Sequence, residues 1–167
     1  MIKAIYPGSF DPITRGHADI IERALGVFDE VLIAVGVNPK KKGWLKPSAR
    51  FELILAFLEE DFPHHLKSGK ISIATYSKLT IDFCKDEGAK VIIRGLRTIS
   101  DFDQEFTLAI NNMDLNSQIE TMFMVPKPEY QFVSSSIVRE IFHFKQKSTQ
   151  KHLPPSVYEK LMEIENG

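Results

Sequence analysis

The chain is 167 residues long, a length that fits one domain spanning 1–167, with 43% hydrophobic and 26% charged residues, enough for both a core and a polar surface. Its 21 basic and 22 acidic residues nearly cancel to a net charge of −1, which argues against bulk nucleic acid or an anionic membrane as the main partner, so any positive charge that matters is local. The single cysteine, Cys84, excludes an internal disulfide and a multi-cysteine metal site and reads as a small buried residue; with no signal-like N-terminus and no apolar run near the ~20 residues of a membrane span, the expected location is the cytoplasm.

Ile2 to Tyr6 reads as a buried parallel strand. Pro7-Gly8 ends it, Asp11-Pro12 imposes an extended or turn step, and Thr14 can cap a helix that opens on Gly16-His17. Ile20, Ile21, Ala24, Leu25 and Phe28 form the apolar stripe of that helix. Val31 to Val37 is a second strand, followed by the basic turn Asn38-Pro39-Lys40-Lys41-Lys42-Gly43. A helix starts near Pro47 with Phe51, Ile54, Leu55 and Leu58 as its buried face, and His64, His65 and Gly69 mark a loop. Ile71 to Thr75 is a third strand, after which Ser77 is placed to cap a helix through Phe83 and Cys84, closed by Gly88. Lys90 to Ile93, short and apolar, runs into Arg94-Gly95-Leu96-Arg97. The next helix carries Ile99, Phe102, Phe106, Ala109, Ile110 and Met113 at spacings of three and four, with Ser100 as its cap and Asp103 three residues on. Thr121 to Val125 is a fifth strand, stopped by Pro126 and Pro128; Ser134-Ser135-Ser136 opens a helix with Ile137, Val138 and Ile141 inward; and Pro154-Pro155 starts a terminal helix to about Glu165.

Strands alternating with helices predict an α/β fold, a doubly wound five-stranded parallel sheet. Such sheets bind ligands beyond the carboxyl ends of their strands. Every candidate motif follows a strand end: Pro7 to His17, Asn38 to Lys42, Tyr76 to Thr80, Arg94 to Arg97 and Tyr130 to Ser136. The glycine fingerprints of dinucleotide-binding and P-loop proteins are both absent, so phosphate must be held by another device. The residues suggest one. A histidine in the first turn of a helix sits among free N–H groups that attract anions. Two guanidiniums bracketing Gly95 can grip phosphate oxygens. The serines at 134–136 add hydroxyls to another helix start, although capping alone needs only one. Lys40, Lys41 and Lys42 read by themselves as a solvated run, and Glu105 as a mid-helix surface residue. His64, His65, His143 and His152 lack ligand spacing beyond the adjacent pair. Trp44 either covers the site or packs.

Gly8-Ser9-Phe10-Asp11-Pro12 followed by Thr14-x-Gly16-His17, together with Arg94-Gly95-Leu96-Arg97 and Ser134-Ser135-Ser136-Ile137-Val138-Arg139, resembles the bacterial phosphopantetheine adenylyltransferase family of the nucleotidyltransferase superfamily. Thr14 stands for the first histidine of the superfamily's HxGH signature. Ser136 stands where its second motif has threonine. The resemblance implies a Rossmann-like nucleotidyltransferase fold and transfer of AMP from ATP to the phosphate of 4′-phosphopantetheine, giving dephospho-coenzyme A and pyrophosphate. It implies His17 as the catalytic residue, and Ser9, Lys41, Thr80 and Arg94 as ligands of phosphopantetheine. It implies ATP binding by Ser9, Phe10, His17, Gly95, Leu96, Arg97 and Glu105, and by Tyr130, Gln131, Phe132, Val133, Ser134, Ser135 and Ser136. Mg²⁺ is expected with ATP, riding on its phosphates because no protein cage is evident. A homohexamer and feedback by coenzyme A are further implications. The alternatives are a related nucleotidyltransferase with another acceptor, such as nicotinamide mononucleotide or glycerol phosphate, and a non-catalytic nucleotide sensor.

Overall fold

The β-branched and aliphatic runs of the sequence assemble side by side. The computed structural model describes residues 1–38, 40, 42–144 and 147–166. Its five strands are β1 (Lys3–Gly8), β2 (Glu30–Gly36), β3 (Ile71–Tyr76), β4 (Val91–Gly95) and β5 (Glu120–Met124), all parallel, in the order β3-β2-β1-β4-β5. The chain moves outward from β1 through β2 and β3, then returns to lay β4 on the other side of β1. The connections therefore diverge at the β1–β4 seam, the switch point of a doubly wound sheet. The helices are α1 (Arg15–Val27), α2 (Pro47–Asp61), α3 (Pro63–Ser68), α4 (Thr80–Asp86), α5 (Ile99–Leu115), α6 (Ser135–His143) and α7 (Pro155–Asn166).

Strand alternation sorts the core into two layers. Ala4, Tyr6, Val31, Ile33, Val35, Val91 and Ile93 face the larger one, with Ile20, Ile21 and Leu25 of α1, Leu53, Ile54, Phe57 and Leu58 of α2 and Leu161 of α7. Ile5, Leu32, Ala34 and Ile92 face the smaller one, with Ile81, Phe83 and Cys84 of α4. Cys84 is fully buried there, and burial pushes its thiol up to about 12, so it packs as a hydrophobe.

Several local expectations give way to packing. α4 begins at Thr80 behind Leu79, so Ser77 caps nothing; the α5 cap is Thr98, which accepts from the Asp101 amide at 3.3 Å, in place of Ser100. The His64-His65 segment is the short helix α3, started by Pro63 and closed by Gly69 in the left-handed conformation. α2 turns Leu53 and Phe57 inward with Ile54 and Leu58, leaving Phe51 and Leu55 partly covered, because the whole helix is apolar enough to seat in more than one rotation. Trp44 packs edge-on against Phe142, with ring centroids 5.3 Å apart. The largest departure is α5: its stripe is periodic as expected, yet no residue of the helix is buried, and Phe102, Phe106, Ile110 and Met113 are all exposed.

β1 also runs further than Pro7-Gly8 suggests. Pro7 and Gly8 still pair with Ala34 and Val35 of β2. A proline in a central strand normally sacrifices a ladder bond. Here the Pro7 carbonyl faces the β4 side and accepts from Arg94 Nη1 at 3.1 Å. The missing N–H falls where the β1–β4 ladder, in register at Ala4–Val91 and Ile5–Ile92, has already ended.

Candidate active site

The seam left open between β1 and β4 becomes a cavity of about 320 Å³. Its walls are the end of β1 with Ser9, the first turn of α1 with Thr14 and His17, the end of β4 with Arg94, Gly95 and Arg97, Glu105 of α5, and the start of α6 with Val133 to Ser136 and Arg139.

His17 is placed by the turn before α1. Phe10 adopts φ +45°, an unusual state for a side-chain-bearing residue. This drives its ring into the core, 1% exposed, and against the imidazole at 5.2 Å. Gly8 makes room for that ring, since a Cβ there would lie 3.0 Å from two of its atoms. The imidazole is then fixed from the other side: the Thr14 backbone N–H donates to His17 Nδ1 at 3.1 Å, and Thr14 Oγ1 lies 2.9 Å from the same nitrogen. This is a capping box closed by histidine. An Nδ1 that accepts leaves the proton on Nε2, so the ring is a neutral donor. Burial, reinforced by the Arg97 charge, pushes its pKa down to about 4 and keeps it neutral at ordinary pH.

The three serines of α6 do three different things. Ser134 caps the helix, accepting from the Ile137 amide at 3.2 Å. Ser135 Oγ donates to the Pro12 carbonyl at 2.8 Å and ties α6 to the His17 turn. Ser136 accepts from Arg139 at 3.0 Å, and Arg139 also donates to the Asp11 carbonyl at 2.7 Å. The remaining N–H groups of this helix start border the cavity, a ready anion site.

Arg94 and Glu105 meet as a bidentate pair, Nε to Oε2 at 2.5 Å and Nη2 to Oε1 at 2.6 Å. Arg97 is held by Asp101, through both its amide and its guanidinium Nε at 3.2 Å. Below them, a 6%-exposed carboxylate organises the basic turn. Asp11 accepts from the amides of Trp44 and Leu45, both at 2.8 Å, with Arg50 Nε at 3.5 Å. Gly43 passes over this pair with no room for a side chain: a Cβ would sit 1.8 Å from Arg50 Nη2.

The cavity thus brings together Ser9, His17, Arg94, Gly95, Arg97, Glu105, Val133, Ser134, Ser135 and Ser136. Thr80 lies outside it, in a small adjoining hollow that shares Pro7, Arg94 and Glu105, with its Oγ1 2.9 Å from the Tyr76 hydroxyl. Phe10 stands behind His17. Leu96 is tied by its amide to the Met124 carbonyl at 2.9 Å. Gln131 donates to the Arg97 carbonyl at 3.2 Å, Phe132 is largely exposed, and Tyr130 lines a separate hollow on the far side of α1. Lys41 lies outside the described residues. Among the wall residues not expected from the sequence, Arg139 lies within the serine motif, whereas nothing local distinguishes Tyr6 from an ordinary strand residue. Its hydroxyl lies near Gly95, and burial raises its pKa.

The sequence matches the model of the cytidylyltransferase-like family over residues 5–141. It is 41% identical to the phosphopantetheine adenylyltransferase of Heliobacterium modesticaldum, over 98% of this chain and 92% of the relative, and 44% identical to that of Staphylococcus haemolyticus, over 96% and 95%. The chain belongs to the phosphopantetheine adenylyltransferase family. The nicotinic acid mononucleotide adenylyltransferase of Plasmodium falciparum, solved with NaAD, superposes with a TM-score of 0.74 over 97% of this chain and 95% of its own, at 16% identity. That likeness establishes the Rossmann-like nucleotidyltransferase fold. Within the family frame, the wall residues separate by the face of the sheet they come from. His17 and the α6 start lie on the larger-core side, and Arg94 with Glu105 on the smaller-core side.

Proposed function

We propose that the chain transfers AMP from ATP to the phosphate of 4′-phosphopantetheine, giving dephospho-coenzyme A and pyrophosphate. The supporting observation is His17, its Nδ1 accepting from the Thr14 amide, in one cavity with Arg94 and the N–H-rich start of α6. The acceptor phosphate is ionised at neutral pH and is itself the nucleophile. One of its oxygens forms a bond to the α-phosphorus as the bond from that phosphorus to the pyrophosphate oxygen breaks. No proton has to leave a protein group. The chain's task is to align two anions and to donate to the oxygens that gather charge.

On this reading His17 donates to the α-phosphate, and the α6 start with Ser9, Gly95, Leu96 and Arg97 holds the nucleotide. Gln131, which donates to the Arg97 carbonyl, ties the segment 130–132 to that wall. Arg94 and Lys41 meet the acceptor phosphate, with Thr80 beside its organic arm. A small hollow of about 30 Å³ between α5 and β4 adjoins Arg94 where that arm would begin, with Leu108 and Ala109 on its walls and Thr121 Oγ1, buried without a hydrogen-bond partner, among its lining groups. Mg²⁺ would be carried by the phosphate oxygens of ATP and would neutralise charge there; Asp11, taken up by two amides and Arg50, is not free to hold it.

The test is pyrophosphate release from ATP with a panel of acceptors. Turnover with 4′-phosphopantetheine, and at least 10²-fold less (roughly, for an acceptor lacking the matching arm) with nicotinamide mononucleotide or glycerol phosphate, is the expected result. Release with another acceptor alone, or binding of ATP with no release at all, overturns it. Coenzyme A, which carries both halves of the product, is expected to inhibit in the same assay by competing at this site.

The exposed α5 stripe supports self-association, and the family resemblance supplies the expected number, a homohexamer. Phe102, Phe106, Ile110 and Met113 make a continuous apolar ridge that a lone chain leaves in water. Light scattering on the purified protein is expected to give six times the chain mass, and a monomer would refute this. No helix of the described residues is long and apolar enough to cross a membrane, and a lone buried thiol suits the cytoplasm, where we place the chain.

A further inference from the structure

A carboxylate that takes two N–H groups of a guanidinium occupies the place a phosphate would take. Glu105 does this to Arg94, closing the Nε–Nη2 edge, while Nη1 is given to the Pro7 carbonyl. Both side chains are mostly covered, Arg94 at 26% and Glu105 at 17% exposure, so water screens the pair only in part. Arg94 therefore enters the cavity as half of a neutral pair, with three of its N–H groups already donating. An arriving phosphate of two negative charges meets little net attraction there while the carboxylate holds the guanidinium.

We propose that Glu105 is the resident counter-ion of Arg94, displaced from it by the acceptor phosphate, and that it holds acceptor affinity below what Arg94 alone would provide. This rests on the reading that Arg94 meets the acceptor phosphate. It assigns Glu105 a different part from a nucleotide ligand: it acts on the acceptor, through Arg94, as a positioning residue. The exchange also serves turnover. The product keeps a phosphate at this same place, and a carboxylate ready to recapture Arg94 helps to release it.

The experiment is calorimetric titration of the intact protein with 4′-phosphopantetheine and, separately, with ATP, for the wild type, Glu105→Gln, Arg94→Ala and the double variant. Glutamine keeps the shape and a carbonyl acceptor for Arg94 but removes the charge. Glu105→Gln is expected to bind phosphopantetheine about tenfold more tightly, the effect of freeing the guanidinium from a competing charge-assisted hydrogen-bond partner. Its ATP affinity is expected to be unchanged, and its steady-state KM for the acceptor to fall without a rise in kcat. Arg94→Ala is expected to bind the acceptor roughly ten- to a hundredfold more weakly. Adding Glu105→Gln to Arg94→Ala is expected to have no further effect, since the carboxylate acts only through the guanidinium.

The failures are distinguishable. If Arg94→Ala leaves acceptor affinity intact, the assignment of Arg94 itself is wrong. If Arg94→Ala weakens the acceptor but Glu105→Gln fails to tighten it, or tightens it equally without Arg94, the counter-ion role is wrong. Weaker ATP binding in Glu105→Gln makes the residue a nucleotide ligand. Loss of both affinities, also in Glu105→Ala, makes it a structural brace and likewise overturns the inference, because a brace cannot improve binding when removed.

Discussion

Replacing His17 by alanine lowers kcat by about 10²–10³-fold, the usual effect of removing one donor to a charge that grows in the transition state, and leaves KM for both substrates nearly unchanged. The reasoning starts from Nδ1. Because the Thr14 amide donates to it at 3.1 Å, the proton sits on Nε2, and the ring donates without having to titrate. Its contribution grows with the charge on the α-phosphate oxygens and is small in the ground state, which is why kcat falls and KM does not. His17→Gln offers a donor that cannot titrate, and it is expected to recover part of the loss. Equal loss in both variants, with a general fall in affinity, would mean that the ring braces the turn instead. The pH dependence follows from the same geometry. The folded pKa, pushed down to about 4 by burial and then by Arg97, lies below that of the unfolded chain. Between these values the unfolded chain holds the extra proton, so this group's share of stability is complete above pH ~6.5 and disappears as pH falls towards 4. Melting temperature followed against pH is expected to drop more steeply over that window in the wild type than in His17→Gln. Coincident curves would remove the assignment of a neutral, partly buried ring.

Replacing Asp11 by alanine costs about 3–5 kcal/mol of stability, the range for stripping one partner from a buried ion pair. Asp11 is 6% exposed and Arg50 7%, so the guanidinium left behind has little water to turn to. Two amides, those of Trp44 and Leu45, lose their acceptor as well. Urea unfolding is expected to show a lower midpoint with an unchanged slope. Asp11→Asn, which keeps one acceptor oxygen, is expected to fall between the two. A loss below ~1 kcal/mol for alanine, the scale of a surface pair, would show that the pair is solvated and that the basic turn is held by other contacts. Because those amides belong to the turn that follows Lys42, the same variant is expected to raise KM for the acceptor more than for ATP.

Much of this molecule was readable from residue order. Apolar runs of five to seven residues, separated by amphipathic stretches, specify parallel strands and crossovers because a strand buried on both faces has no polar side to show. The strand-end position of Ser9, His17, Arg94, Arg97 and the serines at 134–136 followed from that topology, and the structure brings them to one cavity. What local pattern could not reach was anything set by a distant partner. Ser100 and Thr98 are equally good caps by type, and only the direction in which the chain leaves β4 selects Thr98. α2 is apolar on too many sides for its periodicity to choose a face. The stripe of α5 is a true amphipathic signal, but a helical period reports that a face avoids water and not what covers it.

The sequence by itself determined the layering, the order of the functional segments and their arrival at one edge of the sheet, because side-chain periodicity and turn chemistry are local and act before any tertiary contact. Only the tertiary structure decided that burial and the Arg97 charge keep His17 neutral, that Arg94 enters the site already paired with Glu105, and that Asp11 anchors the basic turn from below. Those outcomes depend on charges and hydrogen bonds between groups at least 11 residues apart, or on the burial that surrounds them. Such terms take their sign and size from distance and dielectric, which no stretch of letters contains.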